Sequence, residues 1–275
     1  VTVWINGELL PDDDARVSVF DHGLVVGDGV FETIKVAAGV PFAMTRHLQR
    51  LRKSALGLGL PEPDLEAIRA GAMAVAAGSE PPPLARMRIT FTAGRAPLGS
   101  ERTAGAPATA IVAMAAQPFP AASVGVVTVP WPRNERGALS GLKTTSYGEN
   151  VRALAYASER GGSEAIFANT VGQLCEGTGT NIFIVQGGRL LTPPLSSGCL
   201  AGVTRALVIE WAGAEETDLP FEALAEADEA FLSGTTRDVQ PISNVNGNPL
   251  PAAPGPVTKK AAEIFALRAA EIIDP

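Results

Sequence analysis

Val30-Phe31-Glu32-Thr33-Ile34-Lys35-Val36-Ala37-Ala38-Gly39-Val40-Pro41-Phe42-Ala43-Met44-Thr45-Arg46-His47-Leu48-Gln49-Arg50-Leu51 compresses two strands and a helix start into one short stretch. Val30 to Val36 alternates and is rich in β-branched residues, so it reads as a strand. Ala38-Gly39 reads as a turn and Val40 to Ala43 as a further strand. Thr45 is expected to cap a helix that turns Leu48, Leu51, Ala55 and Leu58 toward a core. Upstream, Val1 to Ile5 alternates, Asn6-Gly7 turns, and Glu8 to Leu10 resumes, which is a hairpin signal. Downstream, a second helix is expected from about Asp64 to Ala77, then a loop from Gly78 to Pro83. Arg86 to Thr92 and Ala108 to Ala115 read as paired strands around a glycine- and proline-containing loop, Gly94 to Gly105. Strands and helices mixed in this order give an α+β class.

Pro118 and Pro120 make 118–123 the candidate linker, dividing the chain into an N-terminal domain at 1–117 and a C-terminal domain at 124–275. In the second part Val124 to Val129, Glu164 to Asn169, Asn181 to Gln186, Arg189 to Thr192 and Ala227 to Ser233 read as strands. Gly148 to Arg160, Val203 to Ala212 and Lys259 to Ile273 read as helices.

With 275 residues, 46% of them hydrophobic and 19% charged, the chain is globular and long enough for two modest domains. A net charge of −7 argues against nucleic acid as a partner, which would demand a basic face. No window approaches the roughly 18 apolar residues of a membrane span. The N-terminal residues lack the pattern of a secretory signal. Cys175 and Cys199 have neither metal-ligand spacing nor the number needed for a disulfide framework, so no metal and a reduced, cytoplasmic setting are expected.

Only five of the 22 basic residues are lysines, and one of them, Lys143, stands alone between Ser54 and Thr258. Arginine serves as a surface cation but cannot form an imine; a lysine amine can, and burial favours its reactive neutral form. By itself this is compatible with a solvated surface lysine. Glu176 lies in a glycine-rich turn, Leu174 to Asn181. It is either an exposed turn carboxylate or an ion-pair partner for a protonated heteroaromatic nitrogen. Gly202-Val203-Thr204-Arg205 opens a helix, and Ser233-Gly234-Thr235-Thr236 ends a strand. Each is a cap or turn when taken alone, and each also offers N–H groups and hydroxyls to an anion. Arg50 could present a bidentate fork to a phosphate. The two histidines, His22 and His47, are read as structural.

Taken together, D-H-G-L-V-V-G-D-G-V-F-E-T from Asp21, H-L-Q-R-L from His47, G-L-K-T-T-S-Y around Lys143, C-E-G-T-G-T-N-I-F around Glu176, G-V-T-R and S-G-T-T resemble the class IV aminotransferase family, the fold-type IV pyridoxal phosphate enzymes. The resemblance spans nearly the whole chain.

It implies a smaller N-terminal α/β domain and a larger C-terminal domain built on a barrel-like sheet, with pyridoxal 5'-phosphate between them in a homodimer. Lys143 would carry the cofactor and shuttle the substrate's Cα proton, and Glu176 would pair with the ring nitrogen. Arg50, Val203, Thr204, Thr235 and Thr236 would hold the phosphate, and Tyr147 would reach the phenolic oxygen. On the substrate side stand Phe31, where D-amino acid aminotransferases usually have tyrosine, and Arg95. The loop carrying Arg95 lacks the histidine those enzymes tend to have. The segment around Lys143 looks most like aminodeoxychorismate lyase, so the first expectation is a lyase of folate biosynthesis giving 4-aminobenzoate and pyruvate. The alternatives are an aminotransferase for branched-chain or D-amino acids, and a cofactor-free binding protein on the same fold.

Overall fold

A computed structural model describes residues 2–78 and 81–275. Val1 of the expected first strand, and Ser79 and Glu80 of the expected loop, lie outside them. Two compact units form, Val1–Phe119 with Leu142–Ser146 and Ile273–Pro275, and Pro120–Gly141 with Tyr147–Ile272. Leu142–Ser146 and Ile273–Pro275 thus group with the first unit, whereas a linear division puts them in the second.

The first unit begins with a hairpin of β1 (Thr2–Ile5) and β2 (Glu8–Pro11). Asn6 and Gly7 between them both have positive φ, 49° and 102°, as a two-residue hairpin turn requires. Then follow the short helix α1 (His22–Val25), β3 (Gly29–Ala37), β4 (Val40–Pro41), α2 (Met44–Gly57), α3 (Leu65–Ala76), β5 (Leu84–Thr92) and β6 (Thr109–Ala116). The strands make one antiparallel sheet in the order β2-β1-β6-β5-β3-β4. Alternation along β3 sends Val30, Ile34 and Val36 to one face, where Leu48, Leu51 and Ala55 of α2 and Ile68, Ala72 and Val75 of α3 complete the core. Glu32 shares that face and is fully buried.

The start of α2 differs from expectation. Ala43, in the left-handed region at φ 54°, is the cap residue and supplies no side-chain bond. Thr45 lies inside the helix, and its N–H and hydroxyl donate to the Asp274 carboxylate at 2.8 and 2.6 Å. The side-chain carboxylate of Asp274, distant in sequence, therefore satisfies the open N–H that a local cap would have taken.

The second unit contains β7 (Val124–Thr128), α4 (Gly148–Ser158), β8 (Glu164–Ala168), β9 (Leu174–Gly177), β10 (Asn181–Gln186), β11 (Arg189–Thr192), α5 (Val203–Ala212), β12 (Glu215–Glu216), β13 (Glu229–Gly234), β14 (Asp238–Val245), β15 (Asn248–Pro249) and α6 (Pro256–Glu271). The sheet runs β12-β11-β10-β13-β14-β7-β8-β9, and β9 also pairs with β10 through Glu176 and Asn181. That pairing closes β10, β13, β14, β7, β8 and β9 into a barrel. Ile166, Ile182, Ile184, Leu232 and Ile242 belong to its apolar cluster. Phe183 and Phe231 stack at 4.8 Å between ring centres. The terminal helix starts before the expected Lys259, with Pro256 in its first turn. Among the described residues no helix is long and apolar enough to cross a membrane.

Gly71 of α3 tests the core of the first unit, because a Cβ there would lie 2.5 Å from the Trp4 indole. A glycine-to-alanine exchange inside a helix ordinarily stabilises by about 1 kcal/mol. G71A is expected to reverse that sign and lower stability by about 1–2 kcal/mol, seen as a lower urea midpoint.

Candidate active site

Lys143 is held by its backbone. Its N–H donates to Ser54 Oγ at 3.1 Å and its carbonyl accepts from Phe31 N–H at 3.0 Å. Thr145 N–H donates to the Gly29 carbonyl at 2.8 Å, and Val30 and Thr144 form a bridge. This segment lies along the first residues of β3. The Lys143 side chain is buried, with Nζ 4.3 Å from the centre of the Phe31 ring. The solvated-surface reading of this lysine is excluded.

On the opposite face of β3 sits a group that sequence reasoning did not assemble. Arg50 donates to Glu32 through Nε at 2.7 Å and Nη2 at 2.6 Å, and His47 Nδ1 is 2.7 Å from the same carboxylate. Burial pushes the Glu32 carboxyl up, but the Arg50 charge and the bonds from Arg50 and His47 prevail and bring it down to about 2. Burial also pushes His47 down, against the pull of Glu32, so His47 is a neutral donor to a charged carboxylate. The Arg50 edge expected to face a phosphate is engaged by Glu32. The signal was present in the sequence, since alternation puts Glu32 on the core face while His47 and Arg50 are three apart on one helix. Phe31, on the other face, also has the Arg88 guanidinium 3.8 Å from its ring centre. Arg95 is exposed in the β5–β6 loop, 5.7 Å from the Phe20 ring.

In the second unit Glu176 stands at the strand pair that closes the barrel, with a side chain only 12% exposed, so it is no loose turn carboxylate. Its Oε2 accepts from Leu200 N–H at 2.8 Å and its Oε1 lies 3.2 Å from Arg133 Nε. Arg133, absent from the sequence-based set, packs over Phe167 at 4.2 Å. The following turn is fixed by buried Glu164, which accepts from the Thr178 N–H and hydroxyl and from the Thr180 hydroxyl.

Val203 and Thr204 occupy the first turn of α5 behind Gly202, which has no side chain to cap it. Any Cβ on Gly202 would come within 2.0 Å of Asn181 Oδ1, so the backbone approach demands glycine. Thr235 and Thr236 form the half-buried turn after β13. Ser233, just before them, buries a hydroxyl that has no hydrogen-bond partner. Tyr147 is half-buried at the cap of α4, and Asn150 of that helix donates to the Thr178 carbonyl.

The first unit thus holds a buried primary amine against an aromatic ring, and the second holds a carboxylate bonded by Leu200 N–H and ion-paired with Arg133, and an uncapped helix start; each is a kind of group that pyridoxal phosphate binds. The model of the family described as amino-transferase class IV matches residues 29–245, and the chain belongs to that family. A branched-chain-amino-acid aminotransferase of Salmonella typhimurium is 32% identical over 294 residues, covering 96% of this chain and 91% of that protein. A D-alanine aminotransferase of Bacillus licheniformis is 28% identical, covering 94% and 93%. A hypothetical aminotransferase from Mycobacterium tuberculosis in its PLP-bound form superposes with a TM-score of 0.86 at 27% identity, over 100% of both chains. The protein is a pyridoxal phosphate-dependent aminotransferase of fold type IV. The cofactor-free binding-protein reading is thereby replaced, and the lyase reading gains no support from these relatives.

Glu32→Gln leaves Arg50 charged beside an uncharged partner. It is expected to cost about 3 kcal/mol at neutral pH. Because the Glu32 carboxyl is lowered, its contribution is present above the ordinary carboxylate range and fades as pH falls toward 2. Urea titrations of wild type and E32Q should therefore converge in acid; a pH-independent gap would contradict the charged assignment.

Proposed function

We propose that this aminotransferase acts on branched-chain L-amino acids with 2-oxoglutarate as the amino acceptor. The observation that carries this is Phe31, a buried phenyl ring against the Lys143 amine, which makes that side of the amine apolar. The full-length similarity to a branched-chain aminotransferase supports it. A D-amino acid preference is the second reading, resting on the Bacillus licheniformis relative. It is disfavoured because Phe31 brings no phenol and the Arg95 loop no histidine.

Bound pyridoxal phosphate supplies the electron sink that makes the substrate's Cα proton acidic. Lys143 would hold the cofactor through its amine, and the same amine would move that proton as general base. Phe31 excludes water from the amine. Glu176 pairs with the ring nitrogen, and Leu200 N–H and Arg133 keep its carboxylate oriented. The Val203 amide, the Thr204 hydroxyl and the Thr235–Thr236 turn bind the phosphate, where the helix start favours negative charge. Arg50, whose Nε and Nη2 are taken by Glu32, is a further candidate for the phosphate, Tyr147 for the phenolic oxygen, and Arg95 for the substrate carboxylate.

The holoenzyme is expected to form glutamate from L-leucine and 2-oxoglutarate at a far higher rate than from D-alanine. K143A should lower kcat by about 10²- to 10⁴-fold or more. Preference for D-alanine would favour the second reading, and 4-aminobenzoate released from aminodeoxychorismate without glutamate formation would revive the lyase.

We also propose a homodimer in a reducing, cytoplasmic setting, consistent with the free buried thiols of Cys175 and Cys199. Val17, Val19, Phe20, Leu24 and Val26 are exposed along one run of the first unit, an apolar surface suited to a second copy of the chain. Sedimentation equilibrium should give twice the 28.4 kDa chain mass, and V19D should shift the equilibrium toward monomer. A wild-type monomer at micromolar concentration would refute this.

A further inference from the structure

The loop between β5 and β6 carries Arg95, and the first unit holds it in an unusual way. At its start the backbone is stitched to residues 20–22. His22 N–H donates to the Gly94 carbonyl at 2.8 Å, Ala96 N–H to the Phe20 carbonyl at 3.1 Å, and the backbones of Asp21 and Arg95 pair as an isolated antiparallel β-bridge. Gly94 makes this possible, with φ at 74° and only 2.0 Å between a hypothetical Cβ and the Pro107 carbonyl oxygen.

Farther out, the loop has no strand partner, and side chains take over. His22 Nε2 lies 2.9 Å from the Gly99 carbonyl while its Nδ1 lies 2.8 Å from Asp28 Oδ2. Arg102 forks onto the same Asp28 carboxylate at 2.7 and 2.6 Å, and donates to the Leu58 and Gly59 carbonyls at 2.9 and 2.6 Å.

We propose that His22, Asp28 and Arg102 are positioning residues that clamp the β5–β6 loop and so place Arg95 for the substrate carboxylate. This rests on the reading of Arg95 as the carboxylate ligand. Both nitrogens of His22 face acceptors, and only the doubly protonated ring can donate to both. The neutral ring keeps one bond and turns a lone pair toward the other acceptor, so the clamp loosens when the proton leaves.

The charged groups facing His22 are Asp28 and Arg102. Asp21, its chain neighbour, is turned away to the Gly23 N–H and the Thr92 and Thr109 hydroxyls. The bond to Asp28 raises His22 above the ordinary histidine value, against burial and the Arg102 charge. Asp28 is lowered, chiefly by its bonds from Arg102, and stays charged through the neutral range. The sign follows: the clamp is complete at and below the ordinary histidine range and opens as pH rises through the raised value.

Two exchanges separate the two nitrogens. H22N keeps a donor toward Asp28 but none toward Gly99, and H22Q keeps an uncharged donor that reaches Gly99. With holoenzyme and L-leucine, the wild-type KM is expected to rise about three- to tenfold from acid to alkaline pH, with kcat moving less. H22N should show the raised KM at every pH. H22Q should show the low KM with the dependence flattened. Hydrogen exchange of the amides of 98–104 should follow the same pattern.

The proposal is overturned if both variants keep the wild-type dependence, or if H22N leaves KM and exchange unchanged. Exchange that responds while KM does not also overturns it, because the clamp then has no part in substrate binding. R95Q separates this from a failure of the underlying reading: an unchanged KM there removes Arg95 as the carboxylate ligand.

Discussion

The open edge at the start of β3 is the constraint on which the lysine depends. β4 pairs only with Val36 and Ala37, at the far end of the strand, so Gly29 to Phe31 present N–H and carbonyl groups with no strand beside them on that edge. Leu142–Ser146 supplies the missing partner through the Phe31–Lys143 and Thr145–Gly29 bonds. A strand-like pairing fixes register, and a slip of one residue would reverse the side to which each side chain points. Backbone hydrogen bonding therefore fixes the Lys143 main chain and the side from which its side chain leaves, and burial against Phe31 completes the placement of the amine.

Buried carboxylates do a parallel task in both units. Glu32 is answered by Arg50 and His47, and Glu164 by the Thr178–Thr180 turn. Glu229 accepts from Val257 N–H at 3.1 Å and Thr258 N–H at 2.7 Å, at the start of α6. Leaving such a group unpaired would cost several kcal/mol, whereas a paired one contributes little net stability and much geometric specificity. Each therefore locks a turn or helix end to a strand. Glu164 does so one turn away from Glu176, and Glu32 does so one residue from the ring that meets Lys143.

Local regularities made the strand-turn-strand-helix stretch legible, and the scarcity of lysine singled out Lys143. The glycine-rich turn likewise marked Glu176. What stayed hidden was non-local. The Asp274 carboxylate that replaces a Thr45 cap is 229 residues from its partner, so no local pattern announces it. The strand β14 carries Pro241 among the polar residues Asp238, Gln240, Ser243 and Asn244, a composition that argues against a strand, yet its pairing with β13 and β7 holds it in the barrel. Glu32 was visible as part of a motif but not as the centre of a buried charge group, because its burial follows from α2 packing on the same sheet face.

The same division explains why family was easier to read than substrate. Lys143 and Glu176 are fixed by main-chain pairing, and the residues around them form compact motifs that all reactions of this kind share. Arg95 lies on a loop whose outer part is held by side chains, with His22 reaching across 77 residues and Arg102 across 74. A change in loop length or in one clamp residue would shift Arg95 while leaving every motif near Lys143 intact. The lyase expectation drew on the segment beside the lysine, which is common ground for proton transfer and says little about the molecule being held. Discrimination between substrates must come from groups that meet the substrate away from Cα. On the proposed reading those are, in the first unit, the Phe31 ring and the Arg95 loop, and neither is specified by the lysine motif.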